Sequence, residues 1–531
     1  MISYLKFMDV KYIGLFLLFF AFSSVAFTQE KGALTGSFET NSIYYFKDSK
    51  IGAERPADRF GSNNYLKLDY NYGKFAVGIQ FEGYYPVLQG YPSELKDSKI
   101  INKYVRFSDG NFKIQVGDFY DQFGSGLIFR SWEDRALGLN NAIEGVNATY
   151  RFGNLLELKA MWGHQRKCMA YVDGQLRGMD ATLRLSELLQ LPVDLLTLEG
   201  SWVNKYQKYT GENAYPENVD AYSGRINFSH QGWNVKGEYV AKGKDPLAGN
   251  FYSTKKGNAL LVEVGYAGEG LGIQLSGRRL EYMDFRSERD ASGIEGHLNY
   301  IPALTRQYEY ALTNINPYSV MANGEIGGQF DLFYNIPKKT LLGGKYGTKL
   351  HINASTYNNL KVKDLEHYEF LALGTEKLYS DVSLDVQKKW NRKIKTILLA
   401  SYQQFNPLVI GKGNTDWRSF TAVGDITWQM TPKNAIRLEL QHLWSGDYLK
   451  NWAYVMAEYS FVPSWTVYGS DMYNYGVSEI HYYNAGFSYS KNRTRCALSY
   501  GRTRDGYQCS GGVCRSVPAY TGINLAITSS F

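Results

Sequence analysis

Apolar and polar side chains alternate with a period of two along most of the chain beyond residue 30, the spacing of a half-buried β-strand. Phe75, Val77, Ile79 and Phe81 alternate with Ala76, Gly78, Gln80 and Glu82. Trp233, Val235, Gly237 and Tyr239 alternate with Asn234, Lys236 and Glu238. Ile326, Phe330, Leu332 and Tyr334 share one face, opposite Gln329 and Asp331. Ala422, Gly424, Ile426, Trp428 and Met430, and then Ile436, Leu438 and Leu440, repeat the pattern. Soluble sandwich strands are usually about 5–6 residues long. Many of these runs continue for about 8–11, the length that crosses a bilayer when tilted. Aromatics gather at their ends (Tyr84, Tyr85, Trp233, Trp444, Trp452, Tyr482, Tyr483), where interfacial girdles form.

The connections between runs are sorted by length. Tight turns at 71–74, 108–111, 153–154, 230–232, 268–270, 391–393, 431–434, 462–464 and 491–493 alternate with longer polar loops. The loops are 86–99, 118–141, 163–178, 204–220, 242–257, 281–324, 357–376, 404–416, 471–479 and 505–517. Two short-side connections, near 186–195 and 337–348, are longer than the rest. A propeller or sandwich has no reason to sort its connections, whereas an outer-membrane barrel has short periplasmic turns and long external loops. The pattern predicts an all-β fold: a large single-chain antiparallel transmembrane β-barrel of about 24 strands (range about 20–26).

Both chain ends agree with this. Lys6 and Lys11 precede an apolar run from Tyr12 to Phe22, followed by Ser23, Ser24 and Ala26. This predicts a signal peptide over residues 1–28, cut after Ala26 or Thr28, and a barrel over 29–531. The run is too short for a helical span of roughly 20 residues. At the other end, Ile523, Leu525, Ile527 and Phe531 share a face of a last strand that begins at Gly522. An amphipathic strand ending in an aromatic resembles the signal read by the barrel-assembly machinery.

Composition narrows the class further. The 531 residues include 44 Tyr, 28 Phe, 10 Trp and 53 Gly but 13 Pro, as expected of many strands joined by tight turns. A mean hydropathy of −0.35 is far too polar for a helical membrane protein but suits a barrel with a polar interior. The net charge of +7 is scattered, with no long basic run for nucleic acid. The expected localisation is the outer membrane of a Gram-negative bacterium.

Several segments resemble a family of Bacteroidota outer-membrane barrel proteins with no assigned activity. They are Gly36-Ser37-Phe38-Glu39, Arg59-Phe60-Gly61-Ser62-Asn63-Asn64-Tyr65-Leu66-Lys67-Leu68, Gly117-Asp118-Phe119-Tyr120-Asp121-Gln122-Phe123-Gly124-Ser125-Gly126 and Cys509-Ser510-Gly511-Gly512-Val513-Cys514-Arg515. The resemblance implies a location and brings no catalytic residues with it.

Candidate chemistry is sparse. Asp118, Asp121, Glu133 and Asp134 lie near Arg130 and Arg135, in a segment whose Gly124 and Gly126 permit a sharp turn. These six are the candidates for a charged lumen constriction; the alternative is a network of satisfied ion pairs bracing the wall. Cys509 and Cys514 flank the tip of the last hairpin, which faces an oxidising exterior, and are the disulfide candidates. Cys168 and Cys496 fall at opposite ends of the barrel and are expected not to pair. The seven His are scattered, with His351 on the lumen parity. No HExxH, GxSxG or Walker-A pattern occurs, so no enzyme, metal or cofactor is expected. The loop 281–324 is rich in Arg and Tyr and reads as a plug or a docking surface.

About 24 strands spaced ~4.8 Å apart and tilted ~40° enclose a cylinder roughly 45–50 Å wide. The first strand starts near Ala33, which leaves no room for a separate N-terminal plug after the expected cleavage site. The expectation is therefore a channel for polar solutes, narrowed by loops 118–141 and 281–324. The alternative is a non-enzymatic scaffold, or a subunit of an outer-membrane secretion, assembly or uptake complex. The expected partners are outer-membrane lipid, the barrel-assembly machinery during biogenesis, and a polar solute or a protein.

Overall fold

The computed structural model describes residues 32–364, 367–407, 416–446, 449–461, 463–510 and 513–531. The predicted signal peptide lies outside them. So do most of the predicted loop 404–416, residues 365–366 of loop 357–376, residue 462 of the turn 462–464, and residues 511–512 at the tip of the last hairpin.

Twenty-four strands, from Ala33–Phe46 to Tyr520–Ser530, form one closed antiparallel sheet in which each wall strand pairs with the next along the chain. A twenty-fifth member, the two-residue strand Ala170–Tyr171, pairs with the end of Leu156–Lys167 and is not part of the ring. The first strand pairs with the last in unbroken register from Ser37–Ser530 to Phe46–Thr521. Two further hydrogen bonds between Gly36 and Phe531, of 2.9 and 3.0 Å, extend that seam. The one α-helix among the described residues is Leu185–Leu188, inside the longer turn expected near 186–195. No helix among them is long and apolar enough to cross a membrane, which says nothing about crossing by strands.

The alternation fixes which side chains face out. Leu398 and Leu440 are 59% and 53% exposed, while Ser401 and Gln441, of opposite parity on the same strands, are 1% and 4% exposed. Register partners keep to one side: Asp425 sits opposite Glu439, and Gly424 opposite Leu440. Apolar and aromatic side chains therefore cover the outside and polar ones line the lumen. At the tight-turn end, Gly73 and Gly110 hold φ of 55° and 54°, which glycine adopts without a Cβ penalty. A groove of about 720 Å³ crosses the outward face where Ala148, Ala160, Gly200 and Gly224 lie between Tyr150, Trp202 and Tyr239.

Two expected loops are largely sheet instead: 505–517 contains the paired strands Gly506–Ser510 and Val513–Val517, and 357–376 is the other. Most of 357–376 belongs to the strands Thr348–Val362 and Tyr368–Lys389, which continue past the wall with register shifts at Tyr357/Asn358, Asn358/Leu360 and Leu360/Val362. The polar residues read as a loop act here within the sheet. The Asn358 side chain donates to the Gly374 carbonyl at 3.1 Å, and the Asn359 side chain accepts from the Glu376 amide at 3.1 Å. The bulges accommodate the extra residues of Tyr368–Lys389, which spans Tyr368 to Lys377 opposite Val362 to Asn358.

The close approach of neighbouring strands gives a stability test. A Cβ on Gly145 would sit 2.0 Å from the Trp162 carbonyl oxygen, a backbone atom that cannot swing away, whereas a Cβ on Gly277 would meet nothing within 4 Å. Gly145→Ala is expected to destabilise the barrel by about 1–3 kcal/mol, and Gly277→Ala to stay within about 0.5 kcal/mol. Denaturant midpoints of the refolded proteins in detergent check the pair.

Candidate functional site

Two long connections turn into the barrel. The loop after Phe112–Phe119 contributes Phe123, Leu127, Ile128 and Phe129 to a buried cluster, and the loop after Leu271–Glu281 contributes Met283, Phe285 and Leu298. The wall supplies Met161, Leu176, Val203, Val219, Ala221, Val240, Ala259, Leu261 and Leu280 to the same cluster. These wall residues have lumen parity, since they alternate along their strands with exposed Trp162, Met179, Tyr222, Tyr239 and Val262. The lumen wall is thus apolar where the loops pack on it.

The loops also bind each other. The Arg130 amide donates to the Leu298 carbonyl at 2.8 Å and the Tyr300 amide to the Gly126 carbonyl at 2.9 Å. Gly126 holds φ of 95° there. The Asn141 side chain donates to the His297 carbonyl at 2.9 Å. Beyond Tyr300 the second loop runs along the wall. Arg306 reaches Asp385 at 2.5 Å and Ser383 at 3.1 Å, the Tyr308 hydroxyl donates to Asp381 at 2.7 Å, and the Leu312 amide donates to Gln441 at 2.9 Å. His351 joins this group, 3.1 Å from Asp385 and 3.0 Å from Asp331.

The six sequence-predicted charges are separated among these contacts. Asp118 is buried at the end of its strand, accepting from the Tyr171 hydroxyl at 2.7 Å and the Lys103 amide at 2.8 Å. Asp121 accepts from Asn147 at 2.7 Å and pairs with Lys159 at 3.2 Å. Arg130 lies over the Tyr300 ring, 3.9 Å from its centroid. Asp134 accepts from the Leu137 amide at 3.1 Å and shapes a turn. Only Glu133 and Arg135 are direct partners, at 3.1 Å, and Arg135 also reaches Glu39 at 2.8 Å across the lumen face.

Sequence reasoning missed the most buried pair in this region. Glu82 and Arg166 are bound through two hydrogen bonds of 2.7 Å, with side chains 1% and 0% exposed. Glu82 also accepts from Gln80 and Tyr84, each at 2.9 Å. The signal for Glu82 was its polar parity opposite Phe81; Arg166 was hidden because its strand continues into the predicted loop 163–178. Three other buried pairs were missed for similar reasons: Arg225 with Asp180 and Glu199, Arg278 with Glu325, and Lys205 with Asp245.

At the long-loop end, Cys509 and Cys514 are register partners and form a disulfide, while Cys168 and Cys496 are free. The hairpin that the disulfide ties leans onto the first loop. Arg515 is buried, donates to the Ala136 carbonyl at 3.1 Å and stacks 3.9 Å from the Tyr91 ring centroid. Glu94, Cys168 and Glu295 bring potential metal-ligand atoms within 4.8 Å of one another from three separate loops. Burial, followed by the charges of Glu295 and Glu94, pushes the Cys168 thiol up to about 11, which opposes the thiolate form that binds metals.

A family model for a family of unknown function (DUF6029) matches residues 8–531. The chain belongs to DUF6029. No curated protein matches this DUF6029 member. Among solved structures it is similar to the P pilus usher (PapC) translocation pore, at 10% identity and a TM-score of 0.48, covering 94% of this chain and 99% of that one. It is similar to OccK3 (OpdO) of Pseudomonas aeruginosa at 10% identity and a TM-score of 0.38, covering 94% and 95%. It is similar to the siderophore receptor PirA of the same organism at 8% identity and a TM-score of 0.41, covering 94% and 80%.

Two measurements follow for this DUF6029 chain. Glu82→Ala leaves Arg166 buried without its counter-charge and is expected to cost about 3–5 kcal/mol, while the double change Glu82→Leu with Arg166→Met recovers most of that loss; denaturant midpoints separate the two. In a Cys496→Ser background, maleimide labelling of Cys168 at pH 8 is expected to run about a hundredfold slower in the folded protein than in the unfolded chain. The thiolate is scarce three units below its raised value and common near the ordinary value of about 8.5. Labelling that is equally fast in both states would show Cys168 to be unburied.

Proposed function

We propose that the chain is a channel for polar solutes in the outer membrane of a Gram-negative bacterium, narrowed from within by the loops 118–141 and 281–324. In this reading residues 1–28 are the exported chain's signal peptide, the tight turns face the periplasm and the long loops face the exterior. The outward aromatic and aliphatic band meets lipid. Ile523, Leu525, Ile527 and Phe531 at the closing seam present the assembly signal.

One observation carries the channel reading. The loops bury lumen-facing side chains over much of the wall, including Ser201, Glu238, Asn353, Asp381, Ser401 and Glu439. The inward faces of the strands Trp465–Asn474, Ile480–Lys491, Thr494–Thr503 and Tyr520–Ser530 differ over most of their length, with Met472 and Tyr482 at the long-loop end packed against Leu312 and Ile315. Tyr468, Ser470, Asn484, Ser499 and Asn524 are half-buried, and no loop hydrogen bond among the described residues reaches them. A polar wall left uncovered on one side is the lining an aqueous passage requires.

Replacing residues 284–320 by a short Gly-Ser linker removes the second loop but keeps both of its flanking strands. Single-channel conductance in planar bilayers is expected to rise several-fold over that of the parent protein. Equal conductance in a variant with an intact barrel would remove the plug role of this loop. A parent that conducts nothing, while the variant conducts, would favour a sealed scaffold.

A further inference from the structure

The lumen is not electrically uniform. Near the tight-turn end, seven inward-parity cations have no carboxylate partner among the described residues: Arg106, Lys113, Arg184, Lys349, Lys389, Lys395 and Arg495. Their parity follows from their neighbours, since exposed apolar residues such as Val105, Phe112, Leu384 and Leu398 lie on the opposite face of the same strands. Lys113, Lys349, Lys389, Lys395 and Arg495 are exposed, and Arg106 and Arg184 are half-buried. Lys113, Lys349, Lys395 and Arg495 each occupy the second position of a strand, and Arg184 and Lys389 the last. All of these lie at the rim of the same mouth.

The inward acids of this zone do not cancel the ring. Asp69, Glu157 and Glu263 are paired with Lys67, Arg151 and Lys236 respectively, and Asp331 is held by His351. Asp331, whose partner His351 is a cation only when protonated, and Glu458 are left without a Lys or Arg among the described residues, and Arg437 serves both Asp425 and Glu439; these are fewer than the seven cations. Five of the cations gather in two groups, with Arg184 and Arg495 on strands between them. Lys389 and Lys395 are register partners, with Lys349 on the adjoining strand. Arg106 and Lys113 lie on paired strands about eleven strands away around the ring of twenty-four, so the two groups face each other across the mouth. Rings of Arg and Lys select anions in pores, and strands close to a low-dielectric wall focus such a field.

We infer that this ring makes the channel anion-selective and that its solute carries a carboxylate or a phosphate. The inference rests on the channel reading above and names its solute class. Exposed charges are screened over about 8 Å at physiological salt and about 3 Å at 1 M, so the preference should be strong in dilute salt and fade in concentrated salt.

The test is the reversal potential of the full-length protein in planar bilayers under a KCl gradient. The parent is expected to pass Cl⁻ several-fold better than K⁺ at low salt. The combined variant Lys113→Glu, Lys349→Glu, Lys395→Glu and Arg495→Glu is expected to prefer K⁺, and the matching Gln variant to lose most of the preference. The heat-shifted gel mobility of the folded barrel confirms that each variant is closed. Cation preference in the parent, or an unchanged potential in both closed variants, overturns the inference while the channel reading stands. A parent without any conductance removes both. Block of the Cl⁻ current by millimolar citrate but not inorganic phosphate assigns the carboxylate class, and the reverse assigns phosphate.

Discussion

A β-strand has two edges, and each edge carries unpaired N–H and C=O groups. In a solvent that cannot hydrogen-bond, an unsatisfied backbone group costs several kcal/mol, so a spanning sheet must close. Here closure rests on the seam between Ala33–Phe46 and Tyr520–Ser530, where ten register pairs join the two ends of the chain. Every wall strand between them then has two neighbours. The demand has a second consequence: twenty-four strands enclose a space far wider than wall side chains can fill. The inward loops answer to that width.

Two kinds of interaction hold the loops, and their magnitudes differ. Burying a large apolar side chain contributes about 1.5–3 kcal/mol, and Phe123, Leu127, Ile128, Phe129, Met283, Phe285 and Leu298 all enter one cluster. The buried ion pairs contribute less net stability, because desolvation offsets most of their attraction. Their role is positional. Arg306 with Asp385, and the half-buried pair of Arg135 with Glu39, each tie a loop to a fixed point on the wall. Apolar burial drives the loops inward and charge pairing sets where they stop. Breaking one partner of such a pair would therefore cost more than replacing both.

The wall was legible in the sequence and the interior was not. Period-two alternation and the sorting of short and long connections gave the strand number, because each strand's pattern is local. It failed at 357–376, where Asn358 and Asn359 looked like loop residues but bond to the neighbouring strand's backbone. The lumen contacts depend on which loop meets which distant strand. Glu133 and Arg135 were read together because they are two residues apart, whereas Glu82 and Arg166 are separated by 84 positions. Asp118 was grouped with them by proximity along the chain, yet its strand end turns it towards Tyr171. Glu94, Cys168 and Glu295 come from three loops and left no spacing to detect.

The inward faces themselves record what lies opposite. Where the loops pack, lumen positions that polar residues would ordinarily fill hold Val203, Val219, Val240 and Leu280. Where no loop hydrogen bond reaches among the described residues, the same parity holds Ser470, Asn484, Ser499 and Asn524, with Gly486 and Gly501 between them. An apolar residue facing water in a lumen gains nothing, and a polar one beneath a packed loop must find a partner or pay its desolvation. The apolar inward positions are stable only beneath a packed loop, whereas the polar ones found there, such as Ser201 and Glu238, are held by hydrogen bonds. The division of the wall into a packed arc and a polar arc is therefore written strand by strand, and it becomes readable once the parity of each strand is known.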